Sequence, residues 1–386
     1  MSPAFRVKDI PLSVYVHWPW CVQKCPYCDF NSHVKRAEDQ QVYAEALLQD
    51  WQQQLSLVQG RQIQSIFFGG GTPSLAPPSI IAAVIDRINS TVGLTSDCEI
   101  TLEANPGTID STHFSGYRTA GVNRLSLGVQ SFDSHLLNKI GRIHDGDQAR
   151  QAIELARHLG FDNMNLDLMV GLPGQTEDTA LSDIETALAY QPEHISHYQL
   201  TLEPNTPFYA RPPKDLPDED TADSLQLLCQ QSLLAAGFDR YEVSAWRASE
   251  HKASRHNLNY WQFGDYIGIG AGSHGKISLA GGGIQRREQA KSPQRYVEEV
   301  NAGKGALVRD IAAEALPFEF LMNALRLQEG VDIHLWQART GMMLSQLESQ
   351  WQTQFNEGLL LDWSSGRLCT TARGYRYLNS VLSAWL

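Results

Sequence analysis

Three cysteines lie close together near the start of the chain, in the run Cys21-Val-Gln-Lys-Cys25-Pro-Tyr-Cys28. The other three cysteines are scattered singly. Thiolates separated by three and by two residues can hold one iron–sulfur cube, because a short loop turns all three sulfur atoms to one side. A structural zinc site normally needs four protein ligands, and no fourth spaced ligand follows. The spacing therefore favours a four-iron cluster with one open iron, and zinc is the less favoured alternative.

The residues around this loop make its resemblance to a known family specific. The run Tyr15–Trp20 leads into the loop, and Asp29–His33 follows it. With these flanks the chain resembles radical S-adenosylmethionine (SAM) proteins, in the branch that contains oxygen-independent coproporphyrinogen III oxidases and HemW-type haem chaperones. The resemblance implies that Cys21, Cys25 and Cys28 hold a [4Fe-4S] cluster, whose open iron chelates SAM.

Length and composition exclude several classes of protein. The 386 residues suffice for a barrel-sized domain of about 250 residues and a smaller one. The net charge of −12 argues against nucleic acid as the main partner. No apolar run reaches the roughly 18 residues of a membrane span, so any membrane contact would be peripheral. Lys8 and Asp9 stand where a signal peptide needs an apolar core, and we therefore expect a cytoplasmic protein.

Short β-rich runs alternate with amphipathic stretches through the first half of the chain. Alternation at about 30-residue spacing predicts parallel strands joined by helices. Six such units predict an α/β fold with a partial (β/α)6 TIM-like barrel, in which ligands lie at the C-terminal ends of the strands. The expected strands are Ser13–His17, Ser65–Gly69, Glu99–Glu103, Arg124–Val129, Met164–Met169 and Ile195–Leu200, and the expected helices are Gln41–Val58, Ser79–Asn89, Gln148–Leu159 and Thr176–Ala189.

Three regions are expected along the chain. They are a radical SAM partial barrel at residues 1–240, a connecting segment at 241–306 and a C-terminal domain at 307–386. The run Tyr241–Ser244 is typical of a short strand. The C-terminal pattern resembles the small α+β, winged-helix-like domain of the coproporphyrinogen-oxidase-like group. Its expected helices are Ala312–Leu327, Ile333–Gly341, Met343–Glu357 and Gly374–Ala384, and its expected strands are Leu359–Trp363 and Arg367–Thr371.

Glycines and carboxylates stand at the ends of the expected strands. The glycines after the second strand let the backbone approach a ligand closely. Glu103 ends the third strand and could accept hydrogen bonds from a ribose or an amine. Asp167 lies in an apolar run, where a carboxylate normally needs a partner that a ligand or Arg142 could supply. By family resemblance the SAM-binding residues are Tyr15, Tyr27, Gly70, Gly71, Thr72, Glu103, Gln130, Arg142 and Asp167.

A second candidate site is the run His-Asn-Leu-Asn-Tyr-Trp that begins at residue 256. An imidazole beside aromatic side chains suits a flat apolar ligand with an iron centre. On chemistry alone, ordinary packing with the imidazole bonded to backbone is the favoured interpretation. In HemW-type chaperones, however, this motif is associated with haem binding. The resemblance therefore makes His256, Asn257, Tyr260 and Trp261 the haem candidates, and it places His274 near the same pocket.

Two functions compete within this branch. An oxidase would cleave SAM and use the resulting radical on a propionate of coproporphyrinogen III. A HemW-type chaperone would bind haem on the cluster and SAM scaffold and deliver it to apo-haemoproteins, those of respiratory chains by resemblance. Phe30 stands where the oxidases carry an extra cysteine, and only 20 residues precede Cys21, which is fewer than in the oxidases. These features favour the chaperone and leave the oxidase as the alternative.

The sequence also bears on the class of reaction and on the oligomeric state. A tRNA- or protein-modifying radical enzyme is disfavoured, because the chain lacks basic patches. A homodimer fits the family, although no stripe of interface residues stands out in the sequence. The residues imply that SAM binds, and they leave its cleavage open.

Overall fold

A computed structural model describes residues 6–34 and 40–386, so the first five residues of the N-terminal stretch considered above lie outside it. The strands are β1 (Leu12–Trp18), β2 (Trp20–Cys21), β3 (His33–Val34), β4 (Ile63–Gly70), β5 (Leu94–Ala104), β6 (Arg124–Gln130), β7 (Met164–Val170), β8 (His194–Gln199), β9 (Asp239–Arg240), β10 (Ala245–Arg247), β11 (Asp265–Ile269), β12 (His274–Ser278), β13 (Ile284–Glu288), β14 (Leu307–Asp310), β15 (Val331–Asp332) and β16 (Arg367–Leu368).

The α-helices are α1 (Gln40–Gln54), α2 (Pro78–Val92), α3 (Ser111–Thr119), α4 (Ser134–Lys139), α5 (Gly146–His158), α6 (Glu177–Ala189), α7 (Pro207–Ala210), α8 (Glu219–Ala235), α9 (Arg255–Trp261), α10 (Pro293–Asn301), α11 (Leu316–Ala324), α12 (His334–Thr340), α13 (Glu348–Asn356), α14 (Ala372–Arg376) and α15 (Leu378–Ser383). Short 3₁₀ segments lie at Val7–Asp9, Leu55–Val58, Pro73–Leu75, Pro106–Thr108, Glu250–Lys252, Ala313–Ala315, Leu344–Gln346 and Trp363–Ser365. Within the described residues no helix is long and apolar enough to cross a bilayer.

Six parallel strands form the centre of the fold. They follow one another in the order β1-β4-β5-β6-β7-β8, and helices connect them, which confirms the predicted (β/α)6 partial barrel. Ile66, Leu102, Leu127, Leu166 and Ile195 are fully buried on five of these strands. Burial of each such side chain stabilises the fold by about 1.5–3 kcal/mol relative to exposure. Because the strands are parallel, their C-terminal ends meet at one edge.

The sheet continues beyond the barrel in a way that the sequence did not predict. β11 pairs in parallel with β1, and β12, β13 and β14 extend that side as antiparallel strands. The run Tyr241–Ser244, predicted as a strand, is instead the connection between β9 and β10. There the Arg240 side chain donates to the carbonyls of Glu242 and Val243, so the segment turns instead of extending.

The C-terminal part packs around a second apolar core. Phe320, Trp336 and Trp351 are buried in it, together with Phe263 from the connecting segment. β15 and β16 form a two-stranded sheet, but the predicted strand Leu359–Trp363 contributes only one isolated bridge to this region. The predicted last helix is divided at Tyr377 into α14 and α15. The three predicted region boundaries stay predictions.

Candidate functional site

The cysteine loop begins where β2 ends, next to the C-terminal edge of the barrel. β2 pairs with β3, so that Trp20 faces His33 and the two ends of the loop are held together. Cys21, Cys25 and Cys28 all line one cavity of about 430 Å³. The structure thus brings together the three thiols that the sequence spacing singled out.

Thr72 and Arg142 contact two of these thiols. The Thr72 hydroxyl donates to Cys21 Sγ at 3.4 Å, and Arg142 Nη1 donates to Cys25 Sγ at 3.7 Å. Burial raises the pKa of the Cys21 and Cys28 thiols, and the Thr72 hydroxyl partly opposes this at Cys21. Iron binding would therefore have to drive the loss of these protons.

Most of the predicted SAM residues line the same cavity. Tyr15 is the exception, since it lines a second, adjoining cavity that also reaches Gly70 and Glu103. The members of the predicted set on the first cavity are Tyr27, Gly70, Gly71, Thr72, Glu103, Gln130, Arg142 and Asp167. Strand ends far apart in sequence thus deliver one group of side chains, as expected for a barrel mouth.

The glycines after β4 are required by close backbone packing. Gly71 N donates to the Trp18 carbonyl at 2.7 Å, and Thr72 N donates to the Trp20 carbonyl at 2.8 Å. A Cβ on Gly71 would lie 2.7 Å from the Trp20 carbonyl oxygen. A Cβ on Gly70, whose φ is +115°, would lie 2.5 Å from the His17 ring. This loop therefore fixes the strand that carries Cys21, in addition to bordering the cavity.

Two carboxylates face the cavity, and among the described residues Glu103 has one hydrogen-bond donor while Asp167 has two, Asn165 and Ser126. Glu103 Oε2 accepts from Gly70 N at 3.2 Å. Burial, and next the charge of Asp167, raises the pKa of Glu103 to about 8. The pKa of Asp167 is also raised by burial, although Asn165 Nδ2 donates to it at 2.7 Å. A cationic ligand such as SAM, with its sulfonium and amino groups, fits this pair.

Arg142 is not the partner of Asp167, which corrects one alternative considered from the sequence. Its Nη2 donates to the Gly128 carbonyl at 2.6 Å, and its Nη1 points to Cys25. Among the described residues, the buried Nε of Arg142 has no hydrogen-bond partner. A buried cation with an unused donor beside the thiols fits an anionic cluster.

Gln130 stands in a strained position at the end of β6. Its φ is +69°, in the left-handed region that non-glycine residues rarely adopt. The pairing of β6 with β7 shifts register at the same place. Tyr198 donates to Gln130 Oε1 at 2.7 Å and also lines the cavity. Tyr198 was not among the residues predicted from the sequence, and its position near the end of the sixth strand was the signal that could have indicated it.

The second cavity measures about 690 Å³ and adjoins the first. The two share a wall that consists of Lys24, Asp29, Phe30, Ser32, Gly70 and Glu103. From the predicted haem motif, Tyr260 and Trp261 line this cavity, and His274 lines it too. His256 and Asn257 are not part of its lining.

His256 lies behind the wall of this cavity. It is 2% exposed, and its Nδ1 lies 3.0 Å from Ser65 Oγ and its Nε2 lies 2.8 Å from the Tyr260 hydroxyl. Its ring stacks on Phe67 with centroids 4.9 Å apart, and burial lowers the pKa of His256 to about 3. The alternative expectation of a bond to backbone is wrong, because both ring nitrogens meet side-chain hydroxyls.

Comparison with known proteins identifies the family. The family model described as Radical SAM superfamily matches residues 15–187 of this chain. The family model described as HemN C-terminal domain matches residues 311–377. The protein named Heme chaperone HemW of Escherichia coli (strain K12) is 43% identical over 98% of this chain and 99% of its own length. The chain belongs to the HemW family. The HemW-named protein of Bacillus subtilis (strain 168) is 34% identical, over 97% of this chain and 99% of its own.

A solved structure agrees with the fold of this HemW-family chain. Coproporphyrinogen III oxidase (HemN) from Escherichia coli, described as a radical SAM enzyme, superposes with a TM-score of 0.81. The match covers 98% of this chain and 90% of the oxidase at 20% identity. At that identity the similarity shows the fold alone: a radical SAM domain followed by a HemN-type C-terminal domain. Membership of the radical SAM superfamily implies an iron–sulfur cluster and SAM.

Proposed function

We propose that this HemW-family chain is a haem chaperone, which holds a [4Fe-4S] cluster and SAM in the first cavity and haem in the second. Relatives named Heme chaperone HemW, matched over nearly their whole length, support this function. The observation that carries it is the aromatic-lined cavity of about 690 Å³ that adjoins the cysteine cavity. Ligand cavities fall in the range of about 300–1,000 Å³, so a porphyrin is a reasonable occupant.

The first cavity has a donor set suited to its cofactors. Cys21, Cys25 and Cys28 would bind three irons of the cluster, and the cluster would supply an electron and an open iron for SAM. Arg142 would balance the negative charge of the thiolates. The carboxylates of Glu103 and Asp167 would attract the cationic groups of SAM. The proposed SAM set is completed on this cavity by Tyr27, Gly70, Gly71, Thr72 and Gln130, and from the adjoining second cavity by Tyr15.

The proposal extends to the recipients and the location. Apo-haemoproteins of respiratory chains would receive the haem, and the chain would act in the cytoplasm with at most peripheral contact to the membrane. A homodimer is part of the same proposal. Sedimentation of the cluster-loaded protein tests the dimer, and haem transfer to a purified respiratory apoprotein tests the recipient.

The test is an anaerobic titration of cluster-loaded protein with haem, run beside an assay for coproporphyrinogen III decarboxylation. We expect stoichiometric haem binding without decarboxylation. Turnover of coproporphyrinogen III would instead assign the chain to the oxidases.

The cluster ligands are tested separately. Substitution of Cys21, Cys25 or Cys28 by Ala should abolish the brown absorbance of the cluster. Cys369→Ala is the matched control, because that thiol is buried in the C-terminal core and should not affect the cluster. Reconstitution of a triad variant with four iron and four sulfide per chain would show that the ligand assignment is wrong.

A further inference from the structure

Three imidazoles line the second cavity, and they differ in what their ring nitrogens contact. They belong to His17, His33 and His274. His17 is 4% exposed, with Nδ1 3.1 Å from the Tyr15 hydroxyl and Nε2 2.8 Å from the Asn31 carbonyl oxygen. Both of its nitrogens are therefore engaged.

His33 and His274 are both exposed to solvent. His33 Nε2 lies 3.3 Å from Asn31 Oδ1. Among the described residues, only burial and the charges of neighbouring side chains act on the His274 ring, and no hydrogen bond to it is present. His274 can therefore give a lone pair to a metal from either ring nitrogen without breaking a hydrogen bond, whereas the ring of His33 is already oriented by its contact with Asn31.

The backbone around His274 is held firmly. Its strand β12 pairs His274 with Glu288 of β13. On the other side, a Cβ on Gly268 would lie 2.1 Å from the His274 carbonyl oxygen, so the two chains approach as closely as a glycine permits. The preceding turn is tied to the cysteine loop, because Asn31 Nδ2 donates to the Ala271 carbonyl at 2.9 Å. A histidine whose backbone is fixed and whose imidazole makes no hydrogen bond to the described residues is suited to metal binding.

The rest of the cavity has groups that complement a porphyrin. Phe30 is 59% exposed, an unusual position for a phenylalanine, and it stands with Trp261 on the lining. Flat apolar surface of this kind packs against aromatic macrocycles. Lys24 and Lys291 lie on the same lining and could pair with propionate groups.

We infer that His274 is the axial ligand of the haem iron in this cavity and that His256 is a positioning residue which orients Tyr260. The inference rests on the proposed function. To reach the iron, His256 would have to leave a 2% exposed site and break its contacts with Ser65 and Tyr260. Its loss would still weaken haem binding, because the Tyr260 hydroxyl would lose its partner and the cavity wall would loosen.

The experiment compares variants of the cluster-loaded, full-length protein titrated with ferric haem. Absorbance and electron paramagnetic resonance spectra are recorded against haem-free protein to remove the cluster signal. His274→Ala should lower the affinity at least tenfold and shift the Soret band and the ferric spin state. Added imidazole should restore the original spectrum, because it can occupy the vacated position. His251→Ala, on the exposed 3₁₀ segment, is the control and should leave binding unchanged.

The conservative variant of the buried histidine separates ligation from positioning. Glutamine at position 256 cannot act as an axial imidazole but can bond to Ser65 and Tyr260. His256→Gln should therefore keep the Soret position of the unmodified protein, with an affinity within about threefold. His33→Ala should also keep the spectrum.

Three results would overturn the inference. The first is a His274→Ala variant with unchanged affinity and spectrum, and the second is loss of the axial signal in His256→Gln or His33→Ala. The third is the absence of haem binding by the unmodified protein, which would also remove the proposed function. If His274→Ala does not fold, His274→Met replaces it, and its spectrum should change to that of a thioether ligand. An unchanged spectrum there would equally refute the assignment.

Discussion

Replacement of Glu103 by glutamine should have opposite effects on stability and on SAM binding. The carboxylate borders the first cavity, and Gly70 N is its protein donor. Its pKa rises from the ordinary value of 4.5 to about 8 because of burial and the neighbouring charge of Asp167. A glutamine amide at this position would keep the shape of the side chain and carry no charge. We therefore expect a more stable ligand-free protein that binds SAM poorly.

The sign of the pH dependence follows from the raised pKa. In the unfolded chain Glu103 ionises near 4.5, whereas in the folded chain it keeps its proton up to about pH 8. Its contribution to stability is therefore complete below pH 4.5 and is lost as the pH rises towards 8. The glutamine variant does not lose stability in this way, because its side chain does not ionise. The difference in stability between the two proteins should be small at about pH 5 and largest at about pH 8.5.

The size of the stability difference follows from the shift in the pKa of Glu103. At about 1.4 kcal/mol for each pKa unit, the rise from 4.5 to about 8 corresponds to roughly 5 kcal/mol at most. Because Glu103 is only partly buried at the edge of the cavity, screening by solvent reduces this to about 2 kcal/mol. For a chain of this size, a change of that order raises the melting temperature by about 3 °C.

The assay is thermal unfolding of the cluster-loaded, SAM-free protein at about pH 5 and about pH 8.5, with SAM titrations on the same samples. Glu103→Gln should melt about 3 °C higher at the alkaline pH. At that pH, where Glu103 is ionised, the variant should also bind SAM about tenfold more weakly, which corresponds to about 1.4 kcal/mol. Glu185→Gln, on the exposed face of α6, is the matched control. A variant that melts lower at the alkaline pH would show that the ionised Glu103 side chain makes favourable contacts, which would refute an uncompensated charge at this position.

Three further substitutions test other parts of the structure. Asp265→Asn should destabilise the fold by about 3–5 kcal/mol in denaturant titrations, because the buried cations Arg61 and Lys276 lose the carboxylate that they contact at 2.7 and 2.9 Å; an unchanged midpoint would contradict this. Gly71→Ala should lower the iron content, since its Cβ would collide with a backbone carbonyl of β2; full cluster loading would show that the loop can move. Phe30→Ala should weaken haem binding about tenfold with the cluster absorbance intact, and equal affinity would exclude Phe30 from the haem site.

The parts of the fold that rest on local patterns could be predicted from the sequence. Each barrel strand is a short β-rich run that ends in, or is directly followed by, a glycine, a proline or a polar residue, and the cysteine loop is a single short segment. Both therefore leave a signature within a window of about ten residues. The placement of Glu103 and Asp167 at one site could then be predicted, since parallel strands bring their C-terminal ends to one edge.

The parts that depend on distant partners could not be predicted in the same way. β11 and β12 lie in a glycine-rich stretch, a composition typical of loops. β11 is nevertheless a strand, because it pairs with β1, about 250 residues earlier. The motif that begins at His256 predicts that this histidine is a haem candidate. One of the two side chains that its ring nitrogens contact, Ser65, lies 191 residues away, and nothing in the motif indicates that contact.

Long-range contacts made by Asn31 connect the walls of the two cavities. The Asn31 carbonyl oxygen lies 2.8 Å from His17 Nε2, and the Asn31 side chain donates to the carbonyls of Ala271 and Lys291, each at 2.9 Å. The residue three positions after Cys28 thus fixes the turn that precedes β12. Because closely packed, hydrogen-bonded segments shift together, rearrangement of the cysteine loop must also displace the wall of the second cavity. The geometry of the cluster site and that of the aromatic cavity are therefore set by one shared group of contacts.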